Sequence, residues 1–143
     1  MLVLENGKYI VRDDESFNQY MHIDLSFVRE ERISQISSKR DELIQAGFEL
    51  DGVKYGFNKT DQQNMLETLT LLNTKLLLGT TNPTVYYKPY GIGTMKEYTA
   101  KEFLDVVNAA ESHKTSIWNT YNKLLLEVDK ATTIEEVEKV VWA

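Results

Sequence analysis

The chain of 143 residues carries a net charge of −6, with 42% hydrophobic and 27% charged residues and no cysteine. That balance describes a globular domain of ordinary size, and the missing thiols exclude disulfides, thiolate metal sites and thiol catalysis together. An acidic chain without a Lys/Arg cluster predicts neither a nucleic-acid surface nor docking on an anionic membrane, because phosphate neutralisation supplies much of such affinity. No apolar run approaches the roughly 18 residues of a membrane span; the greasiest stretch, Leu69–Leu78, is broken by Thr70, Asn73, Thr74 and Lys75. The N-terminus, MLVLENGKY, lacks the basic and apolar regions of a signal peptide, and the absence of cysteine fits synthesis in the cytoplasm.

Residues 2–11 read as a hairpin closed by Asn6-Gly7, with Glu5 opposite Lys8, Leu4 opposite Tyr9 and Val3 opposite Ile10. Leu2, Leu4, Tyr9 and Val11 then share one face, and Val3 and Ile10 the other. A small domain covers only one such face, so Val3 and Ile10 are candidate partner contacts beside a free strand edge. Residues 12–25 show no settled period; they hold Asp13-Asp14-Glu15, a Ser16–Gln19 capping pattern and His22. The pattern predicts an N-terminal hairpin and arm over 1–25 and a single α+β domain over 26–143.

A helix is predicted from Ser26 to Ala46, with Ile33, Ile36, Arg40, Leu43 and Ile44 at near-helical spacing and Gly47 as its stop. A second hairpin follows at once. Asp51-Gly52 is a type I′ turn signal that sets Leu50 opposite Val53, Glu49 opposite Lys54 and Phe48 opposite Tyr55, with Phe57 on the same apolar face. Asn58-Lys59-Thr60 matches a glycosylation sequon, but Thr60 reads better as a helix N-cap with Gln63 reaching back. The helix from Asp61 to Leu78 aligns Met65, Leu69, Leu72 and Leu76 on one stripe, with Leu66 and Leu77 beside it, and Gly79 ends it. After the TTNP loop a third hairpin joins Val85-Tyr86-Tyr87 to residues 95–98 across the connection KPYGIGT. Thr99 and Glu102 form a capping box that opens a helix of about 30 residues, its stripe running through Phe103, Val106, Ala110, Ile117, Tyr121, Leu124 and Val128. A last box, Thr133 to Glu136, starts a short helix that carries Val137, Val140 and Val141 to the end. The fold class is α+β: short antiparallel β-hairpins packed against three main helices plus a short C-terminal helix.

Chemistry is hard to build from these residues. There is no nucleophile elbow, P-loop, zinc helix or calcium loop. Of the two histidines, His113 falls on or beside an apolar helical stripe, the place of a packed, hydrogen-bonded side chain, and His22 with Asp24 is too common a pair to mark a metal site. The carboxylate clusters sit at helix starts or on wet faces, where dipole and solvation account for them. Gly91-Ile92-Gly93 is half a phosphate-binding pattern, placed in a hairpin connection rather than at a helix N-terminus. The expectation is a protein that is not an enzyme, with no catalytic, metal or cofactor residues. Gly7, Gly47, Asp51, Gly52, Thr60, Thr99 and Thr133 carry structural roles as turns and caps. Tyr86, Tyr87, Tyr90 and Tyr98 gather around the third hairpin, whose alternation must leave one or two of them at the surface. Exposed tyrosine is good interface material, so Tyr86, Tyr87 and Tyr90 join Val3 and Ile10 as candidate partner-binding residues.

Three stretches, RDELIQAGFELDGVKY (40–55), YTAKEFL (98–104) and ATTIEEV (131–137), together resemble a small domain-of-unknown-function family encoded among tail-fibre and baseplate genes of tailed bacteriophages and prophages. The resemblance covers nearly the whole chain and is thinnest over 12–30. Tyr86-Tyr87 stands where that family usually has a tryptophan strand. Its motifs are turn, cap and core residues, and it carries no catalytic residues to transfer. What the resemblance implies is a non-enzymatic virion protein of the tail, an adaptor or accessory component bound to a fibre or baseplate protein, with self-association left open. The alternative it implies is a tail-fibre assembly chaperone absent from the mature virion, and an enzyme acting on the host surface ranks last.

Overall fold

Turn chemistry sets the hairpins. Asn6 and Gly7 take φ of 51° and 76°, and Asp51 and Gly52 take 51° and 78°, the pair of positive values that a two-residue type I′ turn needs. Strands β1 (Leu2–Glu5) and β2 (Lys8–Val11) therefore pair with Val3 opposite Ile10 and Leu4 opposite Tyr9. Strands β3 (Phe48–Leu50) and β4 (Val53–Tyr55) pair with Phe48 opposite Tyr55 and Leu50 opposite Val53. The third hairpin, β5 (Thr84–Tyr87) and β6 (Lys96–Thr99), sets Val85 opposite Tyr98 and Tyr86 opposite Glu97. Each pair is an antiparallel sheet of two strands. Helices α1 (Leu25–Gln45), α2 (Lys59–Leu77), α3 (Ala100–Lys130) and α4 (Ile134–Glu138) complete the α+β fold. The computed structural model describes residues 2–11, 24–90 and 93–143. The Asp13–Glu15 run, the Ser16–Gln19 pattern, His22 and Gly91-Ile92 lie outside the described residues.

The helix starts follow side-chain capping. Thr99 and Glu102 exchange two hydrogen bonds of 3.2 Å, and the one from the Thr99 N–H holds the Glu102 carboxyl below its usual range. Thr133 accepts from the Glu136 N–H at 3.2 Å, while the Glu136 carboxylate turns to the Thr132 N–H at 2.7 Å. Asp24 caps α1 by accepting from the Phe27 N–H at 3.0 Å, a cap the sequence pattern did not single out. The predicted cap of α2 is corrected. Thr60 lies inside the first turn, and Asn58 is the N-cap: its amide oxygen accepts from the Asp61 N–H at 2.8 Å and the Asp61 carboxylate accepts from the Asn58 N–H at 3.0 Å. Asparagine ranks with the best N-caps and above threonine, and Asp61 reciprocates at the right spacing, so the earlier pair wins. At its other end Gly79 N–H bonds the Leu76 carbonyl and Thr80 N–H the Lys75 carbonyl, a Schellman closure. Helix α4 is also shorter than predicted: a Val140 N–H to Val137 carbonyl bond tightens the last turn, leaving Val140 buried and Val141 exposed.

The described residues form two compact units, one joining the chain up to Lys39 with Thr120–Ala143, the other Arg40–Asn119. The first buries Val28 and Ile36 of α1 with Leu124 and Val128 of α3, Ala131, Val137 and Val140. Its polar groups are used to tie elements together: the Trp142 indole N–H donates to the Ile36 carbonyl at 3.1 Å, and the Arg29 guanidinium donates to the Ala131 carbonyl just past the end of α3. The second unit has an aromatic core. Phe48 stacks on Tyr55 at 5.3 Å, Phe57 meets Phe48 edge-on, and Phe103 lies edge-on to both Tyr87 and Tyr98. Met65 and Leu72 of α2 and Val106 and Ala110 of α3 close it.

Gly47 joins α1 to β3 at φ +92°, and a Cβ there would lie 2.3 Å from the Tyr55 carbonyl oxygen. Gly52 has positive φ but open space around it. Both Gly47→Ala and Gly52→Val are expected to lose at least about 1 kcal/mol from backbone strain, with Gly47→Ala the more damaging because backbone must move as well; thermal unfolding of the two variants checks the order. Asn58→Ala is expected to cost about 1 kcal/mol and Thr60→Ala less than about 0.5 kcal/mol, which denaturant melts would resolve.

Candidate interaction surface

Within the Arg40–Asn119 unit the third hairpin sorts its tyrosines by alternation. Val85, Tyr87 and Tyr98 face the core, and Tyr86 lies outward at 56% exposure. Tyr87 is corrected as a partner contact: it is 5% exposed, its ring packs against Phe103 and its hydroxyl donates to the Asp61 carbonyl at 3.3 Å. Tyr86 donates to the Glu97 carboxylate across the strand pair, a bond that pushes its phenol up. Tyr90 is exposed, with the Lys54 ammonium 4.6 Å from its ring centroid. Val3 and Ile10 face each other in the register of β1–β2, and their side chains lie outside the description.

The larger surface is on α2, and it overturns part of the predicted stripe. Met65 and Leu72 are buried, but Leu76 is exposed together with Leu66, Leu71, Leu77 and Leu78, the last two at 87% and 79%. The core stops at Leu72, and the helix runs past it for more than a turn. From Leu66 to Gly79 the charged side chains are Glu67 and Lys75, and both have internal partners: Glu67 accepts from the Gln63 amide at 3.1 Å and Lys75 donates to the Thr84 carbonyl at 2.7 Å. Thr68, Thr70 and Thr74 donate their hydroxyls to the carbonyls four residues back, at 2.8, 2.8 and 2.9 Å. The threonine and lysine donors of this stretch are already satisfied, so covering those groups costs little desolvation. Sequence reasoning missed this face by testing the leucine run only as a membrane span and a core stripe. The signal was present in the shortage of charge on all sides of that run.

His113 is half-buried against Phe48 and Phe57, and its Nε2 lies 3.0 Å from the Ile44 carbonyl near the end of α1. A carbonyl only accepts, so the proton sits on Nε2. Among the described residues no cluster of His, Asp and Glu could hold a metal ion, and no helix is long and apolar enough to cross a membrane.

Residues 27–141 match a family described as Domain of unknown function (DUF4376). The chain belongs to that family. The DUF4376 match spans both compact units and starts beyond the β1–β2 hairpin. Among the curated proteins and the solved structures none matches the chain.

Burial pushes the Tyr87 phenol up to about 12, and burial with a 2.9 Å hydrogen bond to Tyr55 raises Tyr98 as well. Free tyrosine titrates near 10, so the unfolded chain releases these protons before the folded one does. Stability is therefore expected to hold below about pH 9 and to fall as pH rises from about 10 to 12. Denaturant melts across that range should show the decline, and Tyr87→Phe should flatten it.

Proposed function

We propose that this chain is a non-enzymatic structural protein of a bacteriophage tail, an adaptor or accessory component that docks on a fibre or baseplate protein. The observation that carries the docking role is the charge-poor leucine–threonine face of α2, with Leu66, Leu71, Leu77 and Leu78 exposed and the threonine hydroxyls bonded within the helix. Interface centres share that composition: depleted in charge and rich in apolar area. The tail setting is supported by the resemblance of the 40–55, 98–104 and 131–137 motifs to a family from tail-fibre and baseplate genes. The β1–β2 hairpin offers a second contact, since a sheet of two strands has edges open to augmentation by a partner strand.

The same face would also suit a fibre-assembly chaperone, whose clients expose apolar surface before they assemble. Mass spectrometry of purified virions separates the readings: a tail component is present in stoichiometric copies and a chaperone is absent. The double variant Leu71→Asp, Leu78→Asp is expected to keep its melting temperature, because both side chains are exposed, and to lose tail association by roughly tenfold or more. Wild-type association of that variant would place the contact elsewhere, and deletion of residues 1–11 would then test the hairpin.

A further inference from the structure

A polar groove of about 550 Å3 runs between the N-terminal half of α2 and residues 87–90 together with Met95. Its volume is that of a small-molecule site. Helix α2 lines it with Asp61, Asn64 and Glu67, and the facing segment with Lys88, Tyr90 and Met95. Gly56 underlies the arrangement. Its φ is ordinary, but a Cβ there would lie 2.5 Å from the Asp61 carboxylate and 3.2 Å from the Tyr90 ring. Glycine thus lets the acid and the aromatic ring close on the same backbone point, and the Lys54 ammonium over the Tyr90 ring fixes it further.

The lining chemistry selects a ligand class. Asp61 and Glu67 accept hydrogen bonds, Lys88 donates them, and the Asn64 amide does both. That amide makes no side-chain hydrogen bond among the described residues. A cation would meet Lys88, and an anion would meet two carboxylates. A neutral molecule whose hydroxyls both donate and accept meets neither conflict, and the apolar faces of its rings suit the exposed Tyr90 and Met95. We propose that this groove binds a neutral saccharide, with a sugar ring against Tyr90 and hydroxyls shared among Asn64, Glu67 and Lys88.

Saturation-transfer NMR on the full chain tests this, with maltotriose and chitotriose as neutral probes and sialyllactose and spermine as charged ones. Transfer to at least one neutral probe is expected. Asn64→Ala and Tyr90→Ala should each weaken it roughly tenfold, the loss of one hydrogen bond or ring contact, at an unchanged melting temperature. If Tyr90→Ala lowers the melting temperature, Asn64→Ala on the exposed helix face decides alone. No transfer to either neutral probe at millimolar concentration overturns the proposal. So does stronger transfer to a charged probe, or neutral binding that survives both substitutions.

Discussion

The Arg40–Asn119 unit depends on one close approach, that of Gly47 to the carbonyl of Tyr55. A helix must end, turn and return as a strand within three residues, and only a residue without a Cβ can sit 2.3 Å of ideal Cβ distance from that oxygen at φ +92°. Once the turn is made, the β3–β4 register follows from Asp51-Gly52 and carries Phe48 onto Tyr55. Those rings are the floor on which Phe57 and His113 pack. The hairpin has only three residues per strand, so its stability comes from that aromatic packing rather than from its ladder.

Helix α2 shows what remains after such a core is satisfied. Its buried residues are Met65 and Leu72, two turns apart. Leu66, Leu71, Leu76, Leu77 and Leu78 are exposed in this unit, where their apolar surface gains nothing from burial. The threonines among them lower helix propensity slightly, yet by bonding back to the i−4 carbonyls they hide their donors. Lysines or glutamates in those places would make a better soluble helix and a worse contact surface. Burial within this unit therefore does not account for the composition of this face.

Local chemistry was legible in the sequence and long-range burial was not. The registers of β1–β2 and β3–β4 follow from two dipeptides, and the Thr99 and Thr133 caps from the chain within three residues of each. The seven-residue stripe of α3 from Phe103 to Val128 was readable because a 31-residue helix repeats its period many times. Thr60 failed because two adjacent capping patterns competed, and the Asn58–Asp61 pair is the stronger. Tyr87 and the α2 leucines failed for a different reason. Periodicity says which residues share a face, but not where the neighbouring element ends and the face falls into solvent.

His113 shows how such a long-range contact changes the reading of a chemically capable residue. The Ile44 carbonyl is among the last four of α1 and accepts a long bond of 3.5 Å from the Gly47 N–H that ends the helix. The imidazole of α3 adds a second and shorter bond to that oxygen, at 3.0 Å. A histidine that donates through Nε2 while ringed by Phe48 and Phe57 has only Nδ1 left for other work. General-base catalysis from Nδ1 would need a reacting proton brought to a half-buried position on the inner side of a helix. The imidazole is thus a helix-end partner that joins α1 to α3 within the unit.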